Sequence, residues 1–241
     1  MITIAAGRDE HLERQRAGLR AGPPHDHVVV AMETGGPLPL ARARNEGAAR
    51  AEEAELLVFL DVDCIPGPAL LDRYAAAARA LPDALLCGPV AYLPPGEYGF
   101  AAGVPHPARP APAGDERLRD GDHRLFWSLS FALTRATRAR IGGFDAGYVG
   151  YGAEDTDFGQ RARAAGVELV WVGGATAYHQ HHGSQVPPVD HLEDIVRNGA
   201  RFRERWGWWP MEGWLRRFAE LGLVRHERQG DRWVVIRPAM G

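Results

Sequence analysis

A short apolar run that ends in two carboxylates constrains this chain more than any other feature. Residues 56–66 read Leu-Leu-Val-Phe-Leu-Asp-Val-Asp-Cys-Ile-Pro. The length of the run and its Val, Leu and Phe content predict a strand buried on both faces. Asp61 and Asp63 then fall at its carboxyl end, where open α/β sheets place their ligands. Residues two apart on an extended backbone point the same way, so both carboxylates can reach one cation or metal-bound diphosphate. A solvated turn is the alternative.

The elements before this run alternate between strand and helix. Apolar segments at 1–6 and 28–32 predict strands, and the segments at 11–19 and 40–54 predict helices. With 56–60 as the third strand, the order becomes β-α-β-α-β, which is typical of a nucleotide-binding half-sheet. No Gly-x-Gly-x-x-Gly follows the first strand, which argues against a dinucleotide site.

Composition narrows the functions that such a fold could serve. The 241 residues, 45% of them hydrophobic, suffice for one or two domains, and we expect one elaborated α/β domain. The net charge is -3, so no broad nucleic-acid footprint is expected. All 28 residues counted as Lys+Arg are Arg, which excludes a Schiff-base lysine, a Walker-type lysine and a Ser-Lys dyad. A phosphate would therefore be held by Arg, backbone N–H groups or a metal.

The cysteines and the apolar segments indicate in which cellular compartment we expect the protein. Cys64 and Cys87 lie in or beside apolar runs, and we expect both to be buried free thiols. The chain does not begin with a basic segment followed by a long apolar one, and no window has the length of a transmembrane span. We therefore expect a cytoplasmic protein without a signal peptide or a membrane-spanning segment.

The segment after the next predicted strand, 85–92, interrupts the regular pattern. Residues 94–124 are rich in Pro, Gly and charge and show no sustained period. A stretch of this length inside a domain is usually a lid or a binding loop, so we expect a flexible lid, with a plain linker as the alternative. A strand at 125–133 and a helix at 134–141 are predicted to follow.

A second acidic group stands at the start of a predicted helix. Glu154, Asp155 and Asp157 follow a Gly-rich stretch and precede a helix expected over 158–165. Carboxylates there are stabilised by the helix dipole, so simple capping is one interpretation. The other is a general base, which the dipole keeps ionised at neutral pH.

Three histidines within four positions form a further candidate site after a predicted strand at 168–172. His179, His181 and His182, in a chain that already holds an acid pair, indicate a metal site, with a polar surface turn as the alternative.

The remainder of the chain is predicted to contain two helices, at 190–206 and 214–221, and a terminal hairpin at 223–236. Trp208 and Trp209 between the helices could pack in a core or form a sugar-stacking platform.

Taken in order, these motifs resemble those of a GT-A glycosyltransferase of the family-2 type. Residues 61–66 are similar to the Asp-x-Asp motif, including the Ile-Pro that follows it in galactosyltransferases. Residues 142–145 and 150–155 are similar to the Gly-Phe and Trp-Gly-Gly-Glu-Asp segments of β-1,4-galactosyltransferases and polypeptide N-acetylgalactosaminyltransferases. The stretch 179–182 falls where these families place a metal-binding histidine.

The resemblance implies an α/β, GT-A fold with a mixed central sheet flanked by helices. It covers residues 1–210, in which we expect a nucleotide-binding half at 1–92, a flexible lid at 93–124 and an acceptor and metal half at 125–210. A small helix and hairpin extension would follow at 211–241.

The resemblance also implies roles for individual residues. Asp63 would bind Mn²⁺ or Mg²⁺, His182 and His179 would be further ligands, and His181 would compete with them. Asp155 would deprotonate the acceptor hydroxyl, and Glu154 would hydrogen-bond a sugar. The donor would be bordered by Ala5, Gly7, Arg8, Arg44, Asn45, Asp61 and Tyr151.

Two departures from the family pattern leave the identity of the transferred sugar undetermined. Tyr151 stands in place of a tryptophan and Ala153 in place of a glycine.

The implied function is metal-dependent transfer of a sugar from a nucleotide-sugar, with a UDP-sugar favoured, to an acceptor hydroxyl. The acceptor could be a saccharide, a small molecule or a peptide. One base and direct displacement imply inversion of the anomeric centre.

Two other functions remain open on the sequence. A nucleotidyltransferase acting on a sugar phosphate shares such a half-sheet, but it normally has a Gly-rich phosphate loop, of which Gly7-Arg8 is a thin version. A non-catalytic module that binds nucleotide-sugars or carbohydrates would have no need of Asp155.

Overall fold

The strand predicted at 56–60 lies inside a seven-stranded sheet. The computed structural model describes residues 1–183 and 186–236. Within these ranges the strands are β1 Ile2–Ala5, β2 Val28–Ala31, β3 Leu56–Leu60, β4 Cys64–Pro66, β5 Leu85–Cys87, β6 Val90–Tyr92, β7 Val104–Pro105, β8 Arg117–Leu118, β9 Ser130–Thr134, β10 Leu169–Val172, β11 Ala177–His179, β12 Val224–Glu227 and β13 Arg232–Val235. The helices are α1 Asp9–Arg20, α2 Leu40–Arg50, α3 Leu70–Ala80, α4 Arg135–Ile141, α5 Glu154–Ala164, α6 Leu192–Trp206 and α7 Glu212–Glu220.

The large sheet is mixed, as predicted, and has the strand order β2-β1-β3-β9-β5-β10-β8. Strands β2, β1 and β3 are parallel, which confirms the β-α-β-α-β half-sheet. Strand β9 runs antiparallel between β3 and β5. Leu57 and Phe59 pack with α2, α4 and α5 on one face, whereas Val58 and Leu60 pack with α3 on the other. The strand is therefore buried on both faces, as its composition predicts.

A second sheet of four short strands, in the order β4-β11-β6-β7, lies beside the carboxyl end of β3. The single strand predicted at 85–92 is wrong, because the chain changes sheets at Gly88 and Pro89. Pro89 has no N–H for a ladder, and a Cβ on Gly88 would lie 2.0 Å from the Ala175 carbonyl oxygen. The break places β5 in the large sheet and β6 in the small one.

Residues 93–124 contribute the edge strands β7 and β8 to the two sheets. Between these strands, the Arg109 guanidinium is buried against two indole rings, 5.3 Å from the Trp127 centroid and 4.9 Å from the Trp171 centroid. A desolvated cation over an aromatic face is stabilised by the ring quadrupole. The segment is thus anchored to the sheets at its centre, and its flexibility remains a prediction.

Three predicted boundaries need correction. The helix expected over 40–54 ends at Arg50. The strand expected over 125–133 begins only at Ser130, because the Asp122 carboxylate accepts a hydrogen bond from the Arg124 N–H and caps a 3₁₀ turn at His123–Leu125. The helix expected from Phe158 begins at Glu154, four residues earlier.

The C-terminal part packs α7 and the confirmed hairpin of β12 and β13 against α6. Their shared core is built on Ile195, Trp209, Leu215, Phe218 and Val224. Trp209 therefore packs in the core, which was one of the two interpretations, rather than forming an exposed sugar-stacking platform. Ser184, the last residue of the histidine-rich stretch, and residues 237–241 of the predicted extension lie outside the described residues.

None of the helices in the described ranges has the length and apolar character that a bilayer crossing requires. The cytoplasmic location remains a prediction.

Candidate active site

The two acids after β3 lie on a tight turn that helix α1 holds in place. The Cys64 N–H donates to the Asp61 carbonyl at 2.9 Å, which closes the turn. The Gln15 amide donates to the Asp61 carbonyl at 2.7 Å and to the Cys64 carbonyl at 3.0 Å. The Thr3 hydroxyl donates to the Gln15 oxygen at 2.8 Å. Gln15 is fully buried, so its three hydrogen bonds fix the backbone that carries Asp61 and Asp63.

Strand β11 brings the histidines to the same turn. His179 pairs with Cys64 in register, and the N–H of Gln180 donates to the Asp63 carbonyl at 2.7 Å. Potential ligand atoms of Asp63, His179 and His182 all lie within 4.8 Å of one another. His181, by contrast, is exposed. The structure therefore separates the competing histidines: two face Asp63 and one faces solvent.

The charge state of this cluster suits a cation. Burial lowers the pKa of His179 to about 4, against an opposing effect from Asp63. Burial likewise lowers the pKa of His182. Both rings are thus neutral at pH 7 and each keeps a ring nitrogen with a free lone pair. Asp63 Oδ1 and His182 Nδ1 are buried and make no hydrogen bond with the described residues.

The loop after β1 reaches the cluster from the other side. Gly7 adopts φ +59, a left-handed conformation that glycine tolerates well. The next residue, Arg8, places Nη1 3.1 Å from Asp63 Oδ1 as an ion pair without hydrogen-bond geometry. Ala5 ends β1 with its carbonyl accepting from the Met32 N–H at 2.7 Å. These three predicted donor-binding residues thus lie at the end of β1 and on the loop after it, which reaches the cluster through Arg8.

Arg44 connects the first acid to the second acidic group. Its side chain is 5% exposed, and its guanidinium lies 3.0 Å from Glu154 Oε1 and 3.5 Å from Asp61 Oδ1. Burial raises the pKa of Asp61 to about 6, although Arg44 opposes the shift. The segments around 61, 154 and 182 therefore meet in one place.

The Glu154–Asp155 pair begins helix α5 after a strained residue. Ala153 has φ +71, in the left-handed region where a Cβ is unfavourable. Burial, with Glu154 adding to it, raises the pKa of Asp155 to about 7. One Asp155 oxygen accepts from the Thr156 N–H at 2.6 Å and from its hydroxyl at 3.2 Å. Asp155 is thus a partly exposed carboxylate that exchanges its proton near neutrality.

Tyr151 lies beside this pair and is held by the C-terminal helices. Its ring stacks on His191 at 4.6 Å between centroids, with Trp214 of α7 at 5.9 Å. The Tyr151 N–H donates to Asp194 of α6 at 3.1 Å. Burial, then Asp155, raise the pKa of the phenol. Tyr151 is therefore a neutral hydroxyl next to the candidate base.

Asn45 is engaged in joining α2 to the loop before α5. Its amide donates to the Phe144 carbonyl at 2.8 Å and accepts from the Phe144 N–H at 2.9 Å. It also accepts from Arg138 at 3.2 Å. These bonds give Asn45 a structural role, and its part in donor binding remains a prediction.

Comparisons with known proteins relate this chain to glycosyltransferases. Residues 120–183 match the family model for the N-terminal domain of galactosyltransferase. The validoxylamine A glucosyltransferase of Streptomyces hygroscopicus subsp. jinggangensis (strain 5008) is 30% identical over 161 residues, covering 54% of this chain and 36% of that protein. The one from Streptomyces hygroscopicus subsp. limoneus is also 30% identical, covering 54% and 34%. This chain spans about a third of the length of these curated relatives.

Superposition on solved structures identifies the fold of this chain. GalNAc-T7 with UDP, GalNAc and Mn²⁺ superposes with a TM-score of 0.61 at 15% identity, covering 85% of this chain and 47% of that chain. Residues 1–349 of S. aureus TarS superpose with a TM-score of 0.55 at 13% identity, covering 84% and 64%. The chain has the GT-A glycosyltransferase fold. In this GT-A domain the acid turn, the histidines and the start of α5 meet beside the carboxyl end of β3.

Sequence reasoning missed the roles of two residues that shape this GT-A site: it did not single out Gln15, and it grouped Asp157 with the candidate acids at the start of α5. Gln15 occupies the apolar side of α1 with Leu12 and Leu19, and this spacing was the signal that could have found it. Asp157 is fully buried and accepts from the Trp206 N–H at 2.8 Å, from Arg205 at 3.2 Å and from the Tyr148 hydroxyl at 3.3 Å. It therefore anchors α5 to α6.

Proposed function

We propose that this chain is a metal-dependent, inverting glycosyltransferase. It transfers a sugar from a nucleoside diphosphate sugar, most favourably a UDP-sugar, to the hydroxyl of an acceptor. The observation that carries the proposal is the convergence of Asp63, His179 and His182, whose ligand atoms lie within 4.8 Å of one another. GalNAc-T7, which shares the fold, has been solved with UDP and Mn²⁺.

The donor set of the cluster fits a divalent cation. One carboxylate and two neutral imidazoles are ligands that Mn²⁺ accepts, while Mg²⁺ prefers oxygen. Asp63 Oδ1, whose contact is the Arg8 ion pair, and His182 Nδ1 are buried without a hydrogen bond among the described residues, which is rare for polar atoms in a buried site. Asp63, His179 and His182 would hold the ion, and when bound it would neutralise charge developing on the leaving diphosphate.

Arg8 is the cation of the chain nearest to this cluster among the described ion pairs. In a protein without lysine, its guanidinium is the side chain placed to hydrogen-bond a phosphate oxygen beside Asp63. Its side chain is one-third exposed, so it can reorient when a diphosphate enters.

Asp155 is the proposed general base. As the acceptor oxygen forms its bond to the anomeric carbon, the bond from that carbon to the diphosphate oxygen breaks, and the hydroxyl proton passes to an Asp155 oxygen. A pKa of about 7 leaves a large ionised fraction at neutral pH and a basicity matched to the task. Attack opposite the leaving group inverts the anomeric centre.

Glu154 and Tyr151 are the proposed contacts to the sugar. Glu154 Oε1 is paired with Arg44, while Oε2 is buried without a partner and can accept from a sugar hydroxyl. The Tyr151 hydroxyl stays protonated and can donate. A buried acceptor and donor of this kind select hydroxyl positions on a ring.

Residues 93–124 are the proposed lid over the donor. A series of ring contacts leads from the metal cluster to this segment: His179 to Tyr92 at 4.9 Å, Tyr92 to His106 at 5.9 Å and His106 to Trp127 at 4.8 Å. A closed lid would exclude the water that otherwise hydrolyses the donor.

Calorimetry with UDP tests the metal assignment. We expect UDP to bind the wild-type protein more tightly with Mn²⁺ than without it, and Asp63→Ala to lose that difference. Asp72→Ala, which removes an exposed acid on α3, is the matched control. Equal Mn²⁺-dependent binding by Asp63→Ala and wild type would contradict the metal site.

Asp155→Asn tests the base. This variant should bind UDP and Mn²⁺ normally but transfer sugar at least about 100-fold more slowly, as loss of a general base predicts. Transfer near the wild-type rate would assign the base elsewhere. Release of pyrophosphate from a nucleoside triphosphate and a sugar phosphate would instead support a nucleotidyltransferase.

A further inference from the structure

A second cleft lies at the C-terminal end of the domain, away from the site described above. It has a volume of about 520 Å³ and lies between part of α6 and the hairpin. Ala200, Arg203, Glu204, Trp209, Asp231 and Trp233 are among the residues that line it. Clefts that bind small molecules commonly have a volume of several hundred Å³ and combine aromatic walls with a few polar groups.

The polar groups of this cleft are not fully satisfied within the chain. Glu204 is exposed and makes no ion pair or hydrogen bond in the described ranges 1–183 and 186–236. The Trp209 ring is 7% exposed, and its indole N–H is buried without a hydrogen bond. Arg203, then His226, lower the pKa of Asp231, and the nearby Trp209 indole N–H lowers it further. The Trp209 N–H is closed to solvent beside Asp231, so the exposed Glu204 carboxylate is the group of this wall that is free to contact a ligand.

The charges of the cleft balance. Two arginines, Arg203 and Arg232, face two carboxylates, Glu204 and Asp231. Arg203 donates to Asp231 at 2.7 Å, and Arg232 donates to Glu227 at 2.7 Å. Because no net charge is left, neither a phosphate nor a polyamine is favoured. The surface suits a neutral ligand with many hydroxyls and an apolar face.

We propose that this cleft binds a saccharide. A pyranose ring presents C–H groups that can lie on the half-buried Trp233 indole, and vicinal hydroxyls that can bridge to Glu204 and Arg203. Trp233 already contacts the His226 ring at 4.7 Å between centroids with a tilt of 36°, so its indole is held in place. A preorganised aromatic face loses little entropy on binding.

The fold also connects this cleft to the candidate active site. Helix α6 carries Arg203 and Glu204 on the cleft and Asp194 on the Tyr151 N–H. Trp214 of α7 contacts the Tyr151 ring, and α7 belongs to the same core as the hairpin. On the basis of the proposed function, we assign the cleft to a saccharide that binds apart from the reacting hydroxyl at Asp155, because Arg203 lies on about the opposite side of α6 from Asp194.

Saturation-transfer NMR with the full chain tests the proposal, using maltotriose, cellotriose and methyl α-glucoside as probes. We expect a trisaccharide to bind the wild-type protein and Asp63→Ala equally, because the cleft needs neither metal nor donor. Trp233→Ala should weaken binding at least about tenfold, and Glu204→Gln, which keeps size and fold, should weaken it measurably. Arg216→Ala, on the exposed side of α7, is the control and should bind as wild type.

The outcomes separate this inference from the proposed function. If no probe binds at about 10 mM, or if Trp233→Ala and Glu204→Gln bind as wild type, the cleft is not a saccharide site, whatever UDP does. If the probes bind as expected while UDP and Mn²⁺ do not bind, the cleft stands and the proposed transfer activity fails.

Discussion

Arg44 Nη1 lies 3.0 Å from Glu154 Oε1, although the two residues are 110 positions apart in the chain. The same guanidinium lies 3.5 Å from Asp61 Oδ1, and both partners are largely buried. One arginine therefore sets the distance between the turn after β3 and the start of α5. This contact joins the two halves of the site before any ligand enters.

Arg44→Met is expected to lower the free energy of unfolding by about 3–5 kcal/mol, because it leaves two buried carboxylates without their cation. Chemical denaturation at pH 7 measures the change. Arg50→Met is the matched control on the same helix: Arg50 pairs with Glu46 on the surface, and its loss should cost less than about 1 kcal/mol. Equal effects of the two variants would show that the Arg44 network contributes nothing beyond a surface pair.

Transfer should depend on pH through Asp155. Its pKa in the folded protein is about 7, so kcat/KM should rise as the pH rises through about 7 and level off above it. The measurement is a pH profile of kcat/KM with saturating metal. A flat profile between pH 6 and about 8.5 would rule out Asp155 as the titrating base.

The raised pKa of Asp155 should also make the free energy of unfolding fall as the pH rises. Because folding raises the Asp155 pKa from 3.8 to about 7, its contribution is fully present below pH 3.8 and is lost as the pH rises through about 7. Asp155→Asn stays neutral, so its free energy of unfolding should exceed that of wild type at pH 8, and the gap should narrow towards pH 4. A gap that does not change with pH would contradict the raised pKa.

His182→Ala should weaken Mn²⁺ binding at least about tenfold, because it removes one of three ligands from a small cluster. His181→Ala should leave Mn²⁺ affinity unchanged, since this neighbouring imidazole is exposed. Titration of Mn²⁺ followed by electron paramagnetic resonance compares the two without any need for activity. If His181→Ala weakened Mn²⁺ binding and His182→Ala did not, the metal would be assigned to the solvent-exposed side of this loop.

Gln15→Ala should destabilise the fold by about 2–3 kcal/mol, because it removes three hydrogen bonds of a buried side chain, which join Gln15 to the Thr3 hydroxyl and to the Asp61 and Cys64 carbonyls. Mn²⁺ affinity should fall as well, since the turn that carries Asp63 loses its support. Arg16→Ala, one position along α1 and paired only with Glu13 at the surface, is the control. Loss of stability without any change in Mn²⁺ affinity would limit Gln15 to a structural role.

Ala153→Gly should raise the free energy of unfolding by about 1 kcal/mol, because φ +71 strains any residue with a Cβ. Thermal unfolding measures the shift. Ala17→Gly, at an exposed position inside α1, should lower stability by about 1 kcal/mol and checks that the gain belongs to the backbone conformation. A loss at Ala153 would show that its methyl contact outweighs the strain.

Local signals were sufficient for part of this architecture. Some signals depend only on residues that are close in sequence. These are the apolar run at 56–60, the alternation of strand and helix before it, and the turn residues of the terminal hairpin. The structure has the elements that they predict. The two acids after β3 could be placed because the end of a buried strand fixes where the next residues go.

Long-range pairing was not predictable in the same way. Strands β4 and β11 have three residues each, too few for a period, and they form through pairing with each other and, for β11, with β6. Arg44 in an Ala-rich helix and Gln15 in a charged one look like surface residues, since their burial depends on partners far along the chain. Both are polar groups whose role depends on tertiary contacts.

The position of Arg44 has a consequence for how the protein is made. A ribosome releases β1, α2 and β3 long before β9, which covers the open edge of β3, and before Glu154, which neutralises the Arg44 charge. Until about 100 further residues have emerged, the amino-terminal half exposes an unpaired strand edge and cannot bury its arginine without cost. We expect the fragment 1–92 to remain unfolded on its own, and the nascent chain to need protection from aggregation until helix α5 has left the exit tunnel.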